Sequence, residues 1–178
     1  GAGAPPDPRL AMMARFSHSP ILGVHLAFDR PVLSTPHAVL VDAGVQWLFR
    51  KDEEGAKIHA VISGADDWMP LDEPAIAERV LSDLRSHIPA ARDARAISVR
   101  PVKEKRATFA PTPEVEQNRS PARHPSDDRG VILAGDYTDI GWPATMEGAA
   151  RSGYVAAAIA LGLPDRSLLV RDLRPSLG

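Results

Sequence analysis

Cysteine is absent from the 178 residues of this chain, so disulfide bonds are excluded. No apolar run approaches the ~20 residues that a membrane-spanning helix requires. The N-terminal region also lacks the basic start and the apolar run of a secretory signal peptide. The net charge of −2 gives no electrostatic reason to expect a nucleic-acid partner. Together these absences favour a cytoplasmic protein.

What is present is the composition of an ordinary globular protein, with 44% hydrophobic and 25% charged residues. Seventeen residues are proline, many of them at positions 31–36 and 101–125, and they predict long irregular connections. Four histidines lack the spacing of a metal site, so each is interpreted as a surface or core residue and no metal is predicted. They are His25, His37, His59 and His87.

The first part of the chain predicts an antiparallel sheet covered by one helix. Apolar and β-branched residues predict strands at positions 21–28, 39–41, 45–49, 57–62 and 94–109, the last being one long strand or two joined ones. The Asp52–Gly55 segment predicts a hairpin turn. Asp72 can cap a helix over residues 72–88, whose apolar residues fall on one face. That face consists of Ile76, Val80, Leu81, Leu84 and Ile88.

The most informative segment is residues 131–162. Its start predicts a short buried strand over 131–134, followed by Gly135-Asp136, a polar loop and a small-residue helix over 144–161. The first turn of a helix leaves N–H donors unpaired and carries partial positive charge, which suits an electron-rich ligand group. From the pattern alone, a helix packed tightly on a sheet without any ligand is an equally good interpretation.

Two short motifs in this segment occur together. They are LAGDYT at 133–138 and TMEGA at 145–149, and Ser152-Gly153 follows at the expected separation. This arrangement resembles the C-terminal FAD-contacting motif of the flavin amine oxidase and phytoene desaturase superfamily. Residues 19–33, 45–50 and 102–123 are similar to the squalene-associated FAD-dependent desaturases, also called hydroxysqualene dehydroxylases.

The resemblance implies a mixed α+β and α/β architecture. Residues 17–125 would form the antiparallel substrate-domain sheet with its covering helix. Residues 126–163 would supply the C-terminal strand and helix of a Rossmann-like FAD-binding domain. Residues 1–16 would form a flexible N-terminus, and residues 164–178 a tail. The family's opening strand and G-x-G-x-x-G turn have no counterpart here. Residues 1–4 match that turn only superficially, because no strand precedes them and the prolines at positions 5 and 6 stand where the helix should begin. The chain is therefore expected to need a missing N-terminal FAD-binding segment or subunit.

The resemblance also implies which residues contact the cofactor, a non-covalent FAD. Asp136 would contact the ribityl or phosphate-proximal part, and backbone N–H groups at Thr145 and Met146 would approach the flavin O2/N1 edge. Trp142 and Pro143 would lie near the isoalloxazine, although Trp142 is equally well interpreted as a core or rim aromatic. The full predicted set is Gly135, Asp136, Trp142, Pro143, Ala144, Thr145 and Met146. No catalytic residue is predicted.

The implied function is that of an FAD-dependent oxidoreductase acting on an apolar isoprenoid such as hydroxysqualene, squalene or a carotenoid-like polyene. The chain alone is expected to be incomplete and inactive, and the full enzyme to associate peripherally with a membrane. One alternative is a non-catalytic fragment or subunit that needs a separate FAD-binding partner. The other is a flavin amine oxidase, which is disfavoured because that branch commonly has tyrosine where Thr145 stands and lysine where Gly23 stands.

Overall fold

A computed structural model describes residues 7–123 and 130–170 of the chain. These residues form two compact units. One unit, here called the sheet unit, is Ser17–Phe109. The other, here called the turn unit, combines the described residues up to Phe16 with those from Ala110 onward. The divisions between these units fall after Phe16 and after Phe109, and the domain boundaries after residues 16 and 125 stay predictions.

The sheet unit contains a five-stranded antiparallel sheet in the order β2-β3-β4-β1-β5. The predicted strands are confirmed with small shifts at their ends, and the last is one continuous strand. The observed bounds are β1 His18–Phe28, β2 His37–Val39, β3 Trp47–Arg50, β4 Lys57–Ser63 and β5 Ala96–Phe109.

One face of this sheet forms the core because apolar residues alternate along each strand. On β1 the alternate residues Leu22, Val24, Leu26 and Phe28 are all buried. Helix α2, Glu73–His87, adds Ile76, Val80 and Leu84 to this core, each with no exposed surface. The remaining predicted face residues, Leu81 and Ile88, are partly buried against the same core.

Local chemistry fixes the ends of these elements as the sequence predicts. The Asp72 carboxylate accepts a hydrogen bond from the Ala75 N–H at 2.9 Å and caps α2. In the turn between β3 and β4, the Asp52 carboxylate accepts from Gly55 N–H at 2.8 Å and from Lys57 N–H at 3.0 Å. Gly55 has a φ of +82°, which glycine adopts without steric cost.

The turn unit is built from short helices around a small core. Its helices are α1 Pro8–Met13, α3 Pro113–Gln117 and α4 Met146–Ala160. Its core consists of Ala122, Ile140, Val155 and Leu169. Within the described ranges, no helix is both long and apolar enough to span a membrane.

Two expectations for this unit need correction. The strand predicted over residues 131–134 does not form, because a strand needs a hydrogen-bonded neighbour and the described residues supply only one ladder-like bond, from Leu133 N–H to the Ala122 carbonyl. The terminus predicted as flexible over 1–16 contains α1, whose Arg9 is buried against Asp7 and donates to the Ala122 carbonyl. Residues 1–6 lie outside the described residues.

Candidate functional site

The candidate site is the turn that leads from residue 135 into α4, and it begins at a glycine with an unusual backbone. Gly135 has a φ of +154°, and an added Cβ would lie 2.2 Å from Cε1 of Tyr137. The Gly135 N–H donates to Ser152 Oγ at 2.7 Å, and its carbonyl accepts from Thr138 Oγ1 at 2.7 Å. The hydrogen bond to Ser152 therefore fixes this end of the turn to the middle of α4. A larger residue at position 135 would clash with the Tyr137 ring.

A buried arginine holds the main chain of the turn. The Arg119 guanidinium donates to the carbonyls of Trp142, Asp136 and Thr138 at 2.8, 2.9 and 2.6 Å. It also donates to the half-exposed Glu116 carboxylate at 2.9 Å. One planar group thus brings the two ends of the predicted set together, since it contacts the main chain of both Asp136 and Trp142.

Arg119 is the important residue that the sequence did not reveal. It lies in a stretch that resembles the desaturases, but nothing in its immediate neighbours distinguishes it from the other arginines of the chain. Its position after a short capped helix offers a weak clue, because Thr112 Oγ1 accepts from Val115 N–H and starts α3 just before it. The burial of a charged side chain depends on distant main-chain acceptors, which local patterns do not show.

Helix α4 begins with backbone N–H donors that have no acceptor among the described residues. Thr145 is the N-cap, and its Oγ1 accepts from Gly148 N–H at 3.0 Å. The Thr145 carbonyl accepts from Ala149 N–H at 2.9 Å. Within the described residues no acceptor is recorded for the N–H groups of Met146 and Glu147. Met146 is 93% exposed, and N–H donors without an acceptor at a helix N-terminus suit an electron-rich ligand group.

The glycine in the first turn of this helix has a backbone explanation. An added Cβ at Gly148 would lie 2.4 Å from the Pro143 carbonyl oxygen. The helix therefore approaches the loop main chain closely at that point, which only glycine permits. By contrast, an added Cβ at Gly153 would have no neighbour within 4 Å. No close contact therefore requires a glycine at position 153.

Trp142 packs against the small core of the turn unit. Its ring is half-buried against that core, and the Arg151 guanidinium lies over it at 3.8 Å. Arg151 in turn donates to the Glu147 carboxylate at 2.8 Å, which gives Glu147 a structural role in the first turn of α4. These contacts favour the interpretation of Trp142 as a rim aromatic, and its proximity to a flavin stays a prediction.

The remaining predicted residues line the open side of the turn. Asp136 is half-buried, and the described residues place no hydrogen-bond donor on its carboxylate. Pro143 and Thr145 are exposed, and Ala144 is half-buried between them. No cluster of three metal-binding side chains occurs in the described ranges.

The turn thus offers unpaired N–H donors at a helix N-terminus and a free carboxylate at its other end. The donors suit an electron-rich carbonyl or ring nitrogen, and the carboxylate suits hydroxyl groups. A flavin carries both kinds of group, on its pyrimidine edge and its ribityl chain, so the residues present fit FAD. The turn is therefore a candidate site for a flavin.

Comparison with known families gives the same class. The family described as "Flavin containing amine oxidoreductase" matches residues 3–161. The chain belongs to this family, which confirms the predicted superfamily and the predicted cofactor, FAD.

Individual relatives agree with the predicted branch. The chain is 32% identical over 142 residues to the hydroxysqualene dehydroxylase of Zymomonas mobilis, covering 79% of this chain and 32% of that protein. It is 30% identical over 167 residues to the 15-cis-phytoene desaturase of Narcissus pseudonarcissus, covering 85% of this chain and 29% of that protein. The chain therefore spans about a third of the length of these relatives.

A solved structure shares the fold. A protein from Exiguobacterium sp. 255-15 that carries the name protoporphyrinogen oxidase aligns with a TM-score of 0.55 at 15% identity. The alignment covers 86% of this chain and 37% of the other. At this identity the likeness concerns the fold alone.

Proposed function

We propose that this chain forms the C-terminal part of an FAD-dependent oxidoreductase that acts on an isoprenoid of the hydroxysqualene or carotenoid-like class. The observation that carries the proposal is the turn from Gly135 to Met146, in which the first N–H groups of α4 and the Asp136 carboxylate have no hydrogen-bond partner among the described residues. The substrate class is supported by the relatives, which are named for hydroxysqualene and phytoene. The flavin would supply hydride transfer to or from the isoprenoid carbon.

Asp136, Met146 and Arg119 have proposed parts in holding the cofactor. The Asp136 carboxylate would accept hydrogen bonds from ribityl hydroxyls, and the Met146 N–H would donate to the O2/N1 edge of the flavin. The partial positive charge at the start of α4 would stabilise negative charge on that edge. Arg119 donates to the main-chain carbonyls of Asp136 and Trp142. It thereby holds the Asp136 carboxylate and the N–H donors of α4 in place.

The position of the turn unit within the complete protein is part of the same proposal. Residues 126–163 complete a Rossmann-like FAD domain whose pyrophosphate-binding turn is supplied by another segment or subunit. In support, the 178 residues contain no G-x-G-x-x-G turn between a strand and a helix. The full protein is proposed to be cytoplasmic and to associate peripherally with a membrane, where its apolar substrate resides.

The amide donor can be removed without changing the rest of the turn. Met146 occupies the first helical position, where proline fits, and Thr145 before it is extended, at φ −149° and ψ 169°. In the complete flavoprotein, Met146→Pro should weaken FAD binding about tenfold, since a hydrogen bond to a charged edge is lost. Met146→Ala keeps the N–H and should bind FAD as the unaltered protein does.

The cofactor itself is tested by absorbance. The complete protein, purified without added cofactor, should absorb light at about 450 nm, as a flavoprotein does. Asp136→Asn should lower its flavin content, whereas Asp139→Asn, on the exposed side of the same loop, should not. A complete protein without flavin absorbance would contradict the proposal.

The alternative of a subunit that needs an FAD-binding partner makes a separate prediction. The 178-residue chain alone should retain little FAD, because the pyrophosphate site is not among its residues. Tight stoichiometric binding of FAD by this chain in isothermal titration would refute that alternative.

A further inference from the structure

The face of the sheet opposite the core, here called the open face, carries two adjoining rows of side chains. Residues directly opposite each other on neighbouring strands share a face, so the strand register defines these rows. The first row is apolar and consists of Val102, Gly23, Val61, Trp47 and Val39. The second row is polar and aromatic and consists of Arg100, His25, His59, Phe49 and His37.

The apolar row is unusually exposed for large hydrophobic residues. Val39 is 52% exposed, Trp47 41% and Val102 55%. These residues belong to one continuous surface. Trp47 and Phe49 stack with ring centroids 5.9 Å apart. A contiguous apolar surface of this kind marks a binding site more often than a solvated face.

The centre of the second row is a stacked pair of imidazoles. The rings of His25 and His59 lie parallel, with 4.3 Å between their centroids and 2° between their planes. Within the described ranges, no hydrogen bond is recorded for either side chain, so their ring nitrogens are available to a ligand. An added Cβ at Gly23 would lie 2.7 Å from His59 Nε2, so the imidazole reaches over the apolar row at the position where a side chain is missing.

A cavity adjoins His25 of this pair. It has a volume of about 220 Å³ and is lined by His25, Leu26, Ala27, Lys51, Lys57, Ile58 and Ser98. Desolvation lowers the pKa of His59, as do the positive charges of His25 and Lys51, so its imidazole is neutral at pH 7 and has one donor and one acceptor nitrogen.

We propose that the His25–His59 pair binds the hydroxyl group of an isoprenoid alcohol, while the apolar row beside it takes the hydrocarbon chain. A neutral imidazole can both donate to and accept from a hydroxyl, which matches an alcohol and offers nothing extra to a hydrocarbon. This site therefore selects hydroxylated isoprenoids over carotenoid-like polyenes of similar length. The inference rests on the proposed function and names the group that the substrate must carry.

The test compares an alcohol with its hydrocarbon counterpart on the 178-residue chain, without FAD. Farnesol and farnesene are titrated separately, and histidine and tryptophan signals are followed by NMR. Farnesol should shift the signals of His25, His59 and Trp47, whereas farnesene should shift only that of Trp47. Farnesol should bind about fivefold more tightly, as one hydrogen bond in a partly exposed site allows.

Three variants identify the residues responsible. His59→Phe keeps the ring but removes the hydrogen bond, so the preference for farnesol should fall to none. Gly23→Ala should have the same effect by displacing the imidazole. His87→Phe, on the exposed side of α2, is the matched control and should keep the preference. Chemical shifts of the unaltered chain provide a readout that does not depend on either variant folding.

Several outcomes would overturn the inference. Equal binding of farnesol and farnesene would do so, as would a preference that survives in His59→Phe. An absence of any shift at His25 and His59 up to the solubility limit of farnesol would count in the same way. Because no flavin is present in this titration, its failure is distinct from the failure of the complete protein to bind FAD.

Discussion

The sheet unit and the turn unit are each stabilised internally by a different kind of interaction. The sheet unit buries a continuous apolar face, in which Leu22, Val24 and Leu48 have no exposed surface. The turn unit has a much smaller apolar core, and its central loop is held by Arg119 through main-chain carbonyls. Burial of area tolerates variation in shape, whereas hydrogen bonds from one guanidinium fix the path of a backbone. The turn unit, which is proposed to position a cofactor, is the one stabilised by hydrogen bonds from a guanidinium.

The sharpest way to test this contrast is to remove the guanidinium. Arg119→Ala leaves three carbonyls without their donor and should destabilise the turn unit by about 4 kcal/mol. Fluorotryptophan NMR separates the units, because Trp142 belongs to the turn unit and Trp47 and Trp68 belong to the sheet unit. The Trp142 signal should collapse toward its unfolded position while the other two persist.

Two further variants control this experiment. Arg119→Lys should restore only part of the stability, since one ammonium group lacks the planar fork that reaches several carbonyls. Arg123→Ala changes an exposed arginine nearby and should have no effect. A Trp142 signal unchanged in Arg119→Ala would contradict the assigned role of the guanidinium.

The converse variant weakens the sheet unit. Leu22→Ala opens a cavity in its core and should cost about 3 kcal/mol of unfolding free energy, measured by urea titration. Here the Trp47 and Trp68 signals should respond and that of Trp142 should not. Ile97→Ala, at a position 64% exposed on β5, is the matched control and should stay within about 0.5 kcal/mol of the unaltered chain.

A smaller effect is expected at the start of α4. Thr145→Ala removes the acceptor for the Gly148 N–H and should cost about 1 kcal/mol in the turn unit. Thr145→Ser keeps the hydroxyl and should restore most of that loss. Equal stability of the alanine and serine variants in urea titrations monitored at Trp142 would show that the cap contributes nothing.

The smallest expected effect is a pH dependence confined to the sheet unit. The pKa of His59 lies below its ordinary value of 6.5, because burial and the charges of His25 and Lys51 disfavour its protonated form. The unfolded chain therefore binds a proton first, so stability should fall as the pH drops below 6.5 toward the folded pKa and then level off.

Urea midpoints at several pH values on either side of neutrality measure this dependence. His59→Gln should flatten the part of the profile below pH 6.5 in the sheet unit. The profile at Trp142 should be the same in both proteins. A His59→Gln profile that matches the unaltered one would show that another group titrates.

The sequence predicted the sheet unit well because its determinants are local. Runs of apolar and β-branched residues located β1, β4 and β5, and Asp72 located the start of α2. What it missed depends on contacts between distant residues. The strand expected over 131–134 lacks a partner among the described residues, and α1 is held through Arg9 by the carbonyls of Ala122 and Val131.

The candidate site shows the same division. The short motifs located the turn through their resemblance to the FAD-contacting motif, and the roles of its seven predicted residues stay predictions. Of these residues, Gly135 and the capping Thr145 have a local geometric reason for their identity. Arg119 and the His25–His59 pair were not predicted, since the first depends on tertiary acceptors and the second on strand register. His25 and His59 looked scattered in the sequence because a sheet brings together residues far apart along the chain.

The exposure of Met146 has a practical consequence for studying this turn. Its side chain projects into solvent while its peptide N–H does the proposed binding, so position 146 can carry a chemical label without loss of the donor. The chain has no natural thiol, and Met146→Cys would therefore introduce a unique attachment point. A fluorophore placed there would report, by quenching, when an isoalloxazine arrives at the mouth of the turn.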